Sequence, residues 1–153
     1  MRSKIGLLAL ALWVLTIAGA ATLFVRGYTT TSADGRVAVI LSDAERDMVL
    51  GEMRSLLLAV ANITRALAHE DRLAIAAAAK AVGSAAAARV DSAALMVKLP
   101  LEFKRIGLAT HTGFDKIEAA ARENKSIAEI TGLVGEHLGL CTGCHAGYRF
   151  TVR

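Results

Sequence analysis

A chain of 153 residues, 54% hydrophobic and 21% charged, has room for one domain of ordinary size beside one long apolar segment, and needs no second. Abundant alanine, a single proline and few aromatics favour an all-α domain. The formal charge of +4 is no nucleic-acid signature: with Arg2 and Lys4 set aside, 16 basic residues stand interspersed among 14 acidic ones, with no basic stripe.

Arg2 and Lys4 precede Ile5 to Val25, 21 residues without a charge, and Arg26 closes the run. That length spans a bilayer, and the flanking charges put the N-terminus in the cytoplasm and everything after Arg26 outside. The competing reading is a signal peptide cleaved at Ala18-Gly19-Ala20. Apolar sequence continues beyond that point through Leu23, Phe24 and Val25, which favours an uncleaved single-pass anchor over residues 1–26. Either reading exports the domain, to the periplasmic side of a bacterial inner membrane.

Residues 27–41 read as a linker that lets the domain stand off the membrane, rich in threonine and poor in large apolar groups at its start. Within it, Val37 to Leu41 is expected to pack on the domain or staple the entry to the next helix rather than form a sheet.

The domain proper is expected over 42–153. Ser42 and Glu45 have the form of a capping box, so a first helix starts there and runs to about Ala68. Its apolar positions Val49, Leu50, Met53, Leu56, Leu57, Val60, Ile63 and Leu67 follow helical spacing and define a buried face. At about 100° per residue, Met53 lies at the centre of that face and Met48 far from it. His69 falls in a polar turn, and Arg72 to Arg89 reads as a second helix, smooth with alanine, that could approach a neighbour or a flat ligand closely or could simply reflect helix propensity. Asp91 to Leu99 is expected to connect to a third helix, which Pro100 opens and which runs to about Asn124 with Leu101, Phe103, Ile106, Leu108, Phe114, Ile117 and Ala121 as its apolar positions. Ser126 and Glu129 repeat the capping box and open a fourth helix. Four helices with short connections predict an up-down-up-down bundle behind an N-terminal transmembrane helix.

Near the end of the fourth helix stands Cys141-Thr142-Gly143-Cys144-His145, which contains the only two cysteines of the chain. This is the form of a c-type haem attachment site. On a helix the two sulfurs and the imidazole stand at i, i+3 and i+4 on one face, so two thioether bonds can fix a porphyrin edge while His145 reaches the iron. A redox pair, a disulfide or half of a zinc site would use the same cysteines. Zinc wants further thiols or well-spaced histidines, and a thioredoxin-like pair wants a βαβ pattern; neither is present in the sequence. Covalent attachment outside the cytoplasm agrees with the exported domain.

With these residues in place, the chain from about Ser42 to Arg153 resembles the cytochrome c-prime and cytochrome c556 family, the four-helix-bundle class of c-type cytochromes. The resemblance rests on the capped first helix with Arg46 and Met53, on Phe103 and Phe114, and on the motif followed by Tyr148 and Arg149. It implies one covalent haem c inside one end of the bundle, with His145 proximal and a first-helix residue opposite. The family often sets an arginine four residues before that distal position, close to a haem propionate. Counted from Arg46, the rule selects Leu50; counted from the helix cap, the slot falls on Met53, and helical geometry favours Met53. Arg149, four residues after His145, is a candidate to cover the haem edge or pair with a propionate. His111 is a rival axial ligand flanked by threonines, while His137 and His69 are expected at the surface.

A His145/Met53 iron suits outer-sphere electron transfer; Leu50 opposite His145 would leave a five-coordinate iron open to nitric oxide or carbon monoxide. The expectation is therefore an electron carrier and not an enzyme, since no acid/base or nucleophile constellation stands in the chain. Its partners would be redox proteins in or near the membrane, with a homodimer through the first two helices permitted. Gas binding, or a helical interaction module without haem, are the alternatives.

Overall fold

The computed structural model describes residues 2–87 and 93–153. The fold is mostly helical, with one small sheet: helix α1 (Arg2–Arg26), strands β1 (Thr29–Thr31) and β2 (Val37–Leu41), helices α2 (Asp43–Ala68), α3 (Arg72–Lys80), α4 (Ser84–Ala87), α5 (Ala93–Lys98), α6 (Leu101–Arg122) and α7 (Ile127–Gly147), and strand β3 (Tyr148–Val152). Helix α1 is long and apolar enough to cross a membrane, with mean hydropathy 2.3 over Lys4–Arg26 and none of that span buried.

Both capping boxes form. The Ser42 hydroxyl accepts from the Glu45 amide while the Glu45 carboxylate accepts from the Ser42 amide, and Ser126 and Glu129 do the same at α7. Lys98 of α5 adds a 2.7 Å ion pair to Glu45, which fastens α5 to the start of α2.

In chain order α2 packs on α3, α3 on α6 and α6 on α7, whereas α2 and α7 meet only lightly. Their apolar faces make a core of Ala59, Ile63, Ile75, Ala79, Phe114, Ile117, Ile130 and Val134. Of the expected core residues, Leu57 and Leu108 instead point outward, at 68% and 64% exposure, because Ala59, Ala66, Thr110 and Ala120 fill the tighter inward positions. The expected single helix over Arg72 to Arg89 breaks after Lys80. A turn at Ala81–Gly83 follows, and the Asp115 carboxylate accepts from the Ser84 amide to start α4. The end of that expected helix and the start of the Asp91 to Leu99 connection lie outside the described residues; Ala93–Lys98 is helical.

Residues 27–41 are not a linker. Strand β1 pairs antiparallel with β2, Thr29 facing Val39, and β2 pairs parallel with β3, from Val37 beside Tyr148 to Leu41 beside Val152. The central strand is buried at Ala38, Val39 and Leu41, as the run Val-Ala-Val-Ile-Leu permits in a strand covered on both faces. A second core forms beneath this sheet from Val39, Leu41, Leu95, Leu99 and Phe103, with Val49, Met53, Cys144, Tyr148 and Phe150 packed against it. Phe103 meets the edges of Tyr148 and Phe150 at centroid distances of 5.3 and 5.8 Å.

Helix α1 enters this end of the molecule directly. Gly27 sits at φ +63°, and a Cβ there would collide with the backbone of Lys98 to Pro100. The Tyr28 amide donates to the Lys98 carbonyl at 2.8 Å, and the Lys104 ammonium lies 3.9 Å from the centre of the Phe24 ring.

Candidate functional site

Helix α7 carries Ile130, Val134, His137, Cys141 and Cys144 at alternating steps of four and three residues, a stripe that faces the rest of the domain. Both cysteines are therefore half-buried free thiols one turn apart. Burial raises both pKa values, and at Cys144 the neighbouring Cys141 adds to the rise. They stand as neutral thiols near pH 7, unlike an activated redox cysteine or a metal-bound thiolate. Among the described residues no group of three or more His, Cys, Asp or Glu side chains is placed to hold a metal ion.

His145 stands beside the stripe, exposed, at the mouth of a cavity of about 170 Å³ lined by Arg36, Leu50, Met53, Phe103, Cys144, His145, Tyr148, Arg149 and Phe150. Leu50 and Met53, the two candidates on α2, thus share a cavity wall with the second cysteine and the histidine of the motif. Met48 is outside it and 41% exposed. Cys141 lies one turn earlier on α7 with its thiol directed to the His137 carbonyl, at 4.0 Å.

Arg46 is not brought to this cavity. Its guanidinium pairs with Asp47 at 3.0 Å and Asp43 at 3.7 Å on the outer side of the first turn of α2. Arg149 does line the cavity but from β3 rather than from a continuing helix: α7 ends at Gly147 and Tyr148 is already extended. An Arg149 amino group lies 3.5 Å from the Asp34 carboxylate.

The other histidines occupy different surroundings. His69 is exposed at the turn after α2. The His111 ring donates through Nδ1 to the Val82 carbonyl at 2.8 Å, and Nε2 lies 3.9 Å from the Glu52 carboxylate, so it is tied between α2 and the turn before α4 and does not line the cavity. His137, expected at the surface, is 4% exposed because it falls in the inward stripe of α7. Its ring packs on Phe114 at 4.2 Å, and Gly113 leaves the space that a Cβ would take from it. Neither ring nitrogen has a hydrogen-bond partner. Burial lowers its pKa, with His111 a smaller contribution in the same direction.

The sequence reading missed Arg36 and Phe150 as cavity residues. Phe150 carries a readable signal, since Tyr-Arg-Phe-Thr-Val alternates as a half-buried strand does. Arg36 carries none until β2 is paired with β3.

The donor set fits covalent haem: two unpaired thiols at i and i+3, an imidazole at i+4, an aromatic and aliphatic wall opposite, and arginines at the rim. At about 170 Å³ the cavity is smaller than the roughly 300–1,000 Å³ of ordinary cofactor sites. No protein-family model, curated protein or solved structure matches the chain.

Proposed function

We propose that this chain is a membrane-anchored monohaem c-type cytochrome that carries single electrons outside the cytoplasmic membrane. The observation that carries the reading is the cavity that joins Met53 of α2 to Cys144 and His145 of α7. In this reading α2, α3 with α4, α6 and α7 are the up-down-up-down bundle of the cytochrome c-prime and c556 class, and α1 is the anchor. Haem c, when bound, supplies one-electron cycling of its iron.

The protein's own residues divide the remaining work. Cys141 and Cys144 would hold the ring edge through thioethers from two half-buried thiols one turn apart. His145 and Met53, on facing elements of the one cavity, would serve as the imidazole and thioether ligands, a pair that favours reduced iron. Phe103, Tyr148 and Phe150 exclude water from one side of the site, and Arg149 at the rim is placed to meet a propionate. With the charge of two propionates added, the exported domain comes close to neutral. The partners are redox proteins in or beside the same membrane.

Leu50 lines the same cavity as Met53, and this favours one second reading, a five-coordinate haem protein that binds nitric oxide or carbon monoxide. The reduced optical spectrum of the full chain decides. Sharp low-spin bands indifferent to carbon monoxide support the carrier, a broad high-spin spectrum shifted by carbon monoxide supports gas binding, and absence of covalent haem on a denaturing gel sinks both.

A further inference from the structure

An α-helix leaves its last carbonyls without intrahelical partners, and in α7 those carbonyls belong to the turn that carries the attachment motif. The Tyr148 amide closes on the Cys144 carbonyl, which leaves His145 and the residues after it open. Arg36 meets them. From the hairpin that precedes the domain, 109 residues away in sequence, one amino group of Arg36 donates to the His145 carbonyl at 3.2 Å and the Tyr148 carbonyl at 3.4 Å.

The arginine is itself held. Its Nε and second amino group donate to one carboxylate oxygen of Asp34 at 2.9 and 2.7 Å, and its backbone amide donates to the other at 3.2 Å. The Ser32 hydroxyl bonds the same carboxylate, and Gly35 at φ +84° lets the turn fold Asp34 back onto Arg36. Immediately after Arg36, Val37 enters the parallel register beside Tyr148. The guanidinium thus has four of its five N–H groups engaged or aimed, two at a fixed carboxylate and the others at the end of α7. It is not a free cation waiting for a ligand.

We infer that Arg36, oriented by Asp34, is a positioning residue for His145: by gripping the His145 and Tyr148 carbonyls it fixes the height and rotation of the imidazole against the cavity wall that carries Met53. The inference rests on the haem reading above and deepens it. Two thioethers would hold Cys141 and Cys144, but neither bond would fix the orientation of the His145 imidazole, and a metal bond is sensitive to small displacements of its ligand. The hairpin is therefore part of the site rather than a spacer before it.

The test uses the full chain with haem attached, as wild type, Arg36→Ala, Arg36→Lys, Asp34→Asn and, for comparison, Arg46→Ala, whose partners are the local carboxylates Asp43 and Asp47. Two quantities are read in each: amide hydrogen exchange over the end of α7, and the spin state and midpoint potential of the iron. Arg36→Ala is expected to keep covalent haem, to speed exchange at the end of α7 about tenfold, and to raise the high-spin fraction several-fold with a change of potential. Arg36→Lys restores part of both, Asp34→Asn shows the same changes more weakly, and Arg46→Ala shows neither. Faster exchange with the wild-type spectrum and potential would make Arg36 a fold residue only and overturn the inference, as would no change in either quantity. If Arg36→Ala fails to fold, Asp34→Asn and Arg36→Lys are held to the same two readouts. A wild-type chain without covalent haem overturns the reading on which the inference rests, whereas a haem-bearing wild type with an unmoved Arg36→Ala spectrum overturns the inference alone.

Discussion

Met53 is half-buried against the core that contains Phe103 and lines the cavity that His145 borders. A methionine in such a place ordinarily fills space; in the proposed cytochrome its thioether would also serve the iron. Met53→Ala is expected to convert the reduced iron from low-spin to high-spin and to admit carbon monoxide, both visible in the optical spectrum, while leaving covalent attachment intact. Leu50→Ala is expected to enlarge the cavity without changing the spin state. If Met53→Ala leaves the spectrum unmoved, Met53 is not the distal ligand, and an unchanged high-spin spectrum would make Leu50 the residue opposite His145.

His137 has the opposite character, a polar group buried with no partner. Its pKa is held below the usual histidine value by burial first and by His111 second, so the folded chain keeps the ring neutral while the unfolded chain protonates it near pH 6.5. The unfolded state then binds more protons, and stability rises with pH. The contribution is complete above about pH 6.5 and is lost as the pH falls through that value toward the lower folded one, with a slope approaching about 1.4 kcal/mol per pH unit. Denaturant unfolding at pH 7 and pH 5.5 should show this loss, and His137→Leu should abolish it. An equal pH dependence in the leucine variant would assign the proton elsewhere.

Among the elements, the helices were the most legible because their instructions are local. Ser42 with Glu45 and Ser126 with Glu129 marked two helix starts to the residue, and both boxes close. Ser42→Ala should lower stability by about 1 kcal/mol in chemical denaturation, since it removes the cap that α2 begins on. Helical spacing also brings Cys144 and His145 to one cavity, whereas Cys141 lies one turn earlier on α7 and outside its lining. What escaped depends on pairing across the chain. Strand β3 follows α7 without a break, so nothing before Tyr148 announces that the helix has ended, and its partner β2 lies more than a hundred residues earlier. Arg149 moved from helix to strand for that reason. Arg46, the arginine that family spacing selected, spends its charge on neighbours one turn or less away, while the arginine that reaches the motif comes from a segment whose composition reads as a spacer. His137 was misplaced by its type rather than its position: the stripe of α7 demanded an inward residue there, and the expectation followed the usual exposure of histidine instead.

At the scale of the whole molecule, the domain has two unlike ends. One is an alanine-rich helical core around Phe114 and Ile130; the other is the sheet, the aromatic cluster and the cavity, and it is this second end that receives α1. The Lys104 ammonium, over the Phe24 ring and bonded to the Phe24 and Met96 carbonyls, adds a further tie. Eight glycine and serine residues inserted after Arg26 should leave the helical content and any optical spectrum unchanged. In lipid vesicles, however, a spin label at exposed Ala128 should tumble markedly faster than in the parent chain. Equal tumbling would show that the contacts of Gly27 and Lys104 do not hold the domain to α1.

Gly27 then bears on how such a protein meets its partners. A domain on a flexible tether searches a volume, and its chance of meeting a neighbour is an effective concentration that varies smoothly with tether length. Here one residue without a side chain joins the apolar helix α1 to the backbone of Lys98 to Pro100, and no tether remains to be lengthened or shortened by drift in sequence. If α1 is the anchor proposed above, encounters would become a matter of lateral diffusion in two dimensions at a single height above the bilayer. A partner of the proposed carrier would then have to present its own redox group at that level, and selection for a matching height would act on the partner's shape as much as on its affinity.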